Sequence, residues 1–174
     1  MLRFFSLESS EIIVMMAKLS HLDEKGKARM VDITAKDTTL REALARGKVL
    51  MRPDTVAAIE TGGMPKGDVF GVARIAGVMA AKKTGELIPL CHPLELTAID
   101  IQFSTNAQEG EIVIEAKVKT LGRTGVEMEA MTAVSVAALT IYDMCKSADR
   151  EMILTDIKLI TKYGGKSAPF VINV

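Results

Sequence analysis

The chain contains two histidines, and one of them, His92, stands beside one of its two cysteines, Cys91, in LIPLCHPLEL (87–96). An imidazole there could ligate a metal, move a proton, or sit as a satisfied polar group at the edge of a core. Further along, YDMCK places Asp143 and Lys146 three residues apart, so on a helix they share a face one turn apart. A surface ion pair of that kind contributes little. The apolar flanks in ALTIYDMCK permit a second reading, in which both pKa values move toward neutral and the pair transfers protons. Lys66, in PKGDVF, precedes a helical pattern. It is either a solvated loop lysine or the charge of an anion site built on free helix N–H groups.

Glu127 and Glu129 open a long helical run. First-turn carboxylates complement the helix dipole. About 200° of rotation separates them, so they are not expected to face one pocket equally. Glu129 and Asp143 share a face, yet the fourteen residues between them amount to about 21 Å of helix. A single small-molecule site does not span that length. If both ends matter, the ligand is long or the sites form between subunits.

Several common motifs fail. YGGKS (163–167) lacks the first glycine of a phosphate loop, since Ile160 occupies that position, and Ala168–Pro169 follows where a helix should start. Cys91 and His92 are adjacent, with no CxxC or HxxxH to complete a zinc set, so no metal site is expected. There is no GxSxG. Lys158, Lys162 and Lys166 fall in a stretch without acidic residues from 157 to 174. Together with Arg74, Lys82 and Lys83 they form either a polyphosphate acceptor or a solvated basic face.

Positioning these groups requires a core, and 174 residues with 48% hydrophobic and 25% charged side chains supply one. Aromatics are scarce at 4%, so eleven Met and many Ala, Val and Ile must do the packing. Formal net charge is zero, against the basic excess of a general nucleic-acid binder. Two unpatterned cysteines suit a reducing compartment. No stretch approaches the ~20 apolar residues of a membrane span. No secretory signal is evident at the N-terminus, and a cytoplasmic protein is expected. Residues 1–20 read as an appendage whose first fifteen residues are dispensable, and 21–36 as an extended arm. The remainder, 21–174, reads as one domain.

Alternation across 38–51 predicts a strand, with Gly47 arguing against a helix. Pro53 opens a helix that Gly62–Gly63 closes. Asp68 caps a second, which Gly85 ends, and Gly71 and Gly77 within it allow another backbone to approach. A proline-bracketed loop holds 87–94. Strands follow at 96–105 and 110–122, joined by NAQEG, then a helix over 125–148, a strand over 151–163 and a tail. The order β-α-α-β-β-α-β predicts an α+β fold: a ferredoxin-like split βαβ with an extra helix and a four-stranded antiparallel sheet.

MVDIT (30–34), KGDVFGVARIAG (66–77), LIPLCHPL (87–94), GVEMEAMTAVSVAALTIYDMCK (125–146) and KYGGKS (162–167) together resemble the MoaC family of molybdenum cofactor biosynthesis, over about residues 20–170. The resemblance implies a phosphorus–oxygen lyase. Its substrate would be 3′,8-cyclo-7,8-dihydroguanosine triphosphate, converted to cyclic pyranopterin monophosphate with release of pyrophosphate. It implies catalytic roles for Asp143, Lys146 and Lys66. It implies substrate contacts for Leu90, Cys91, His92, Met128, Glu129 and Lys162. It also implies a homohexamer, a trimer of dimers with active sites at subunit interfaces, and no required cofactor, although Mg2+ could accompany the triphosphate. Two other classes fit the residues less well: a nucleotide-sensing module without turnover, and a metal-dependent cyclohydrolase, for which two histidines are too few.

Overall fold

The computed structural model describes residues 25–166 and 168–172; the N-terminal appendage and the first residues of the arm lie outside them. The chain folds as α+β, with helices laid on one face of an antiparallel sheet. Strand β1 (Thr39–Leu50) leads to helices α1 (Pro53–Glu60) and α2 (Val69–Lys82) and a short turn, α3 (Thr84–Leu87). Strands β2 (Leu96–Asn106) and β3 (Glu111–Gly122), helix α4 (Glu127–Cys145), and strands β4 (Ile153–Tyr163) and β5 (Phe170–Val171) follow. The sheet order is β2-β3-β1-β4-β5.

Five strands therefore replace the expected four. The tail returns as a two-residue strand, pairing Phe170 with Lys162 and Val171 with Thr161. That pairing satisfies part of the backbone that β4 would otherwise leave open as a sheet edge.

β1 forms as its alternation requires. Ala43, Ala45 and Val49 are fully buried, whereas Arg46 and Lys48 on the opposite face pair with Glu115 and Glu111 of β3. α1 starts at Pro53, and Gly62 just beyond its end takes a positive φ of 71°. α2 is capped as expected, Asp68 Oδ1 accepting from the Gly71 N–H at 2.8 Å. It stops at Lys82, and Gly85 sits inside the short turn that follows instead of ending the helix.

α4 carries the core. Ala130, Ala133, Val134, Ala137, Ala138 and Ile141 are fully buried. Small side chains let it lie close to both the sheet and α2. The two helices come close at Gly77 of α2, where a Cβ would lie 3.0 Å from the Ala133 carbonyl oxygen, and 2.6 Å from Ile101 Cδ1 of β2. Gly71 plays a different part from the one expected: its missing side chain leaves room for the Asp68 cap. By length and composition α4 would pass for a membrane span, which the sequence was not expected to contain; here its apolar face fills the core.

Candidate active site at the two ends of one helix

α4 presents chemistry at both termini, and the two groups stand well apart. At its C-terminal end Asp143 receives two ammonium groups. Lys146 Nζ lies 2.7 Å from Oδ1, and Lys66 Nζ lies 2.8 Å from Oδ2. Lys66 comes from the loop between α1 and α2 and also donates to the Asp143 carbonyl oxygen at 2.8 Å, where the helix dipole favours a cation. All three side chains are about half exposed. Hydrogen bonds from Lys146 and then Lys66 hold the Asp143 carboxyl down at about 2, and the same contact raises the Lys146 amine. The apolar flanks had suggested movement toward neutral; the opposite occurs, because direct ion pairing outweighs desolvation at an open helix end. In this arrangement Asp143 is ionised and Lys146 is charged.

The N-terminal end opens on a cavity of about 290 Å³ whose lining includes Leu90, Cys91 and His92 from the proline-bracketed loop and Met128 and Glu129 from α4. The structure thus gathers five of the six residues for which the family resemblance implies substrate contact. Glu129 is buried, and burial first, then the neighbouring Glu127 carboxylate, push its carboxyl up to about 7, against a lowering by its own backbone N–H. Burial chiefly raises the Cys91 thiol as well, so it is no thiolate nucleophile. Val31 and Lys36 of the arm close another side.

Glu127 lines the same cavity, although helical rotation had set it apart from Glu129. It is drawn aside by Lys162 of β4, whose Nζ lies 2.7 Å from Oε1. The turn permits this because Gly125 has no Cβ to collide with the Glu127 carboxylate.

A second cavity of about 370 Å³ adjoins the first and shares Lys36, Thr124, Gly125 and Glu127 with it. Lys36, Arg41, Arg123, Lys162 and Lys166 surround it, against Asp37 and Glu127. The Arg41 Nε donates to the Gly122 carbonyl oxygen at 3.3 Å, steadying the β3–α4 turn. Such a lining suits a polyanion.

The expected basic cluster is only partly right. Lys162 and Lys166 join the cavity, but Lys158 does not. Lys158 pairs with Arg46 on the open sheet face, whereas Lys162 pairs with the buried Ala43. One extra residue, Ile160, lies between the two pairings and flips the side chains beyond it. Arg74 is committed elsewhere, over the Phe103 ring and to the Ile101 carbonyl oxygen. Lys82 lines a different cavity, with Glu86 and Pro93. The sequence reading did not single out Lys36, Arg41 or Arg123; isolated basic residues in an arm, a strand and a turn carry no local pattern.

The MoaC family model matches residues 30–165. A cyclic pyranopterin monophosphate synthase of Pelotomaculum thermopropionicum is 61% identical over 155 residues, covering 89% of this chain and 91% of the relative. Those of Roseiflexus sp. and Desulfatibacillum aliphaticivorans are 60% and 61% identical over 156 residues, covering 90% of this chain and 99% and 98% of theirs. The family match takes in both ends of α4 and, Lys166 excepted, the linings of both cavities, and the chain belongs to the MoaC family.

Proposed function

We propose that this chain is a cyclic pyranopterin monophosphate synthase of molybdenum cofactor biosynthesis, acting on 3′,8-cyclo-7,8-dihydroguanosine triphosphate as a pyrophosphate-releasing phosphorus–oxygen lyase. The observation that carries the reading is the pair of adjoining cavities, one basic and one holding a buried carboxyl. A nucleotide-derived substrate has the same two halves. Its triphosphate sits among Lys36, Arg41, Arg123, Lys162 and Lys166, and its guanine-derived rings lie against His92, Met128 and Glu129. A ribose-derived hydroxyl attacks the α-phosphorus; the new P–O bond closes the cyclic phosphate as the bond to the β-phosphate breaks. The basic side chains neutralise the leaving pyrophosphate, and holding both groups in one molecule lowers the entropic barrier.

Ring opening and reclosure need protons moved, and Asp143 with Lys146 and Lys66 form the base–acid set. Within one protomer that set is about 21 Å from Glu129 along α4. We infer that one copy supplies the Asp143 end and a neighbour the Glu129 end, in the homohexamer of three dimers that the family resemblance implies. We assign the strand order to a ferredoxin-like sheet, extended by β5, and the protein to the cytoplasm.

The test mixes the protein with the cyclised GTP intermediate and follows pyrophosphate release and the fluorescence of the oxidised pterin product. Turnover by the wild type, lost in Asp143→Asn and Lys146→Ala, is expected. A wild type without turnover, or full turnover by either variant, overturns the reading.

A further inference from the structure

Asp149 is one of the buried charged residues, 4% exposed, and lies outside both cavities. Both oxygens of its carboxylate are engaged. Oδ2 accepts the Arg52 N–H at 2.8 Å and Oδ1 accepts the Glu151 N–H at 3.0 Å. The Arg52 guanidinium approaches from outside, its Nε 3.8 Å from Oδ2, while its Nη2 donates to the Ala148 carbonyl oxygen. The Asp149 N–H in turn donates to Cys145 in the last turn of α4, at 3.1 Å. One side chain thereby joins the end of α4 to the β1–α1 corner.

That corner leads through α1 to Lys66, and the end of α4 carries Asp143 and Lys146. The cluster is thus assembled from two chain segments, and the Arg52–Asp149 clamp is a polar tie between them outside the cluster itself. We propose that Asp149, with Arg52, is a positioning residue that sets the placement of Lys66 against Asp143 and Lys146. This rests on the reading of those three as catalytic. The reasoning is geometric: a carboxylate inside a protein is costly unless every acceptor site is used, so its partners are held at fixed distances. Proton transfer depends on such distances, and a displacement of about 1 Å costs up to ~10²-fold in rate. Exposed lysines at 42% and 51% side-chain accessibility have little packing of their own to hold them.

The experiment measures kcat, KM and thermal unfolding of the full chain for Asp149→Ala, Asp149→Asn and Arg52→Ala, beside Asp143→Asn. Asp149→Ala is expected to lower kcat about tenfold or more with KM within about twofold, in protein still folded at the assay temperature. Asp149→Asn keeps the shape and one side-chain acceptor oxygen but sets its amide NH2 against the other backbone N–H, and should recover only part of the loss. Arg52→Ala removes the guanidinium tie while leaving the backbone N–H bond, and should show a smaller fall in kcat alone. Wild-type kcat in folded Asp149→Ala overturns the proposal. So does a loss that tracks only the folded fraction, or one confined to KM. Should Asp149→Ala fail to fold, Arg52→Ala decides: unchanged kcat refutes, a kcat-specific fall supports. Full activity in Asp143→Asn would instead sink the assignment of the cluster and leave the clamp as architecture.

Discussion

Replacing Glu129 with Gln should make the protein more stable at pH 8 while abolishing its activity. The carboxyl is buried, and its pKa stands at about 7 against an ordinary 4.5. Between those two values the folded chain holds a proton that the unfolded chain releases, so stability falls as pH rises through that window. Below about 4.5 both states are protonated and the cost vanishes; above about 7 it is complete. With each decade worth about 1.4 kcal/mol, ionising Glu129 costs the fold about 3 kcal/mol at pH 8. Glutamine keeps the shape and never ionises. Urea unfolding of both proteins at one protomer concentration, at pH 5 and pH 8, reads the effect directly. The advantage of Glu129→Gln should grow by about 2–3 kcal/mol between the two pH values. Stability curves that stay parallel across this range would show that burial does not hold Glu129 neutral in the folded chain.

Other expectations follow from the same geometry. Arg41→Ala should raise KM and weaken inhibition by pyrophosphate, with a shallower salt dependence than the wild type, because one cation of the basic cavity is lost; unchanged pyrophosphate inhibition would place the polyanion elsewhere. Gly77→Ala should destabilise the fold by about 1–2 kcal/mol in chemical denaturation, since steric conflict with Ala133 exceeds the gain in helix propensity. Lys162→Gln frees Glu127 from its ion pair and should weaken substrate binding with little change in stability, measured by calorimetric titration with a non-reacting analogue.

Much of the architecture was legible because its elements are long and regular. The alternation around Ala43, Ala45 and Val49 is a one-sided strand, and Pro53 and Asp68 start helices for the reasons that make those residues good starters. β5 was missed because Phe170–Val171 is too short to show any period; it exists only through pairing with β4. The fate of the lysines on β4 hangs on one bulged residue, Ile160, which nothing local announces. At the site, YDMCK gave the Asp143–Lys146 contact from helical spacing alone. The direction of the pKa change was misjudged, since apolar neighbours in sequence do not bury a side chain at a helix end. Lys36, Arg41 and Arg123 meet only when the arm, the sheet and the β3–α4 turn are brought together, and that information is tertiary.

The central claim is that the two ends of α4 serve different sites, each completed by a second copy of the chain. Glu129→Ala and Asp143→Ala should each be inactive alone. Coexpressed with different tags and purified as mixed assemblies, they should recover about one quarter of the wild-type rate per site, because random mixing leaves that fraction of interfaces with both ends intact. Mixed assemblies as inactive as either parent would mean that every site draws both ends from one chain, and the account would be wrong.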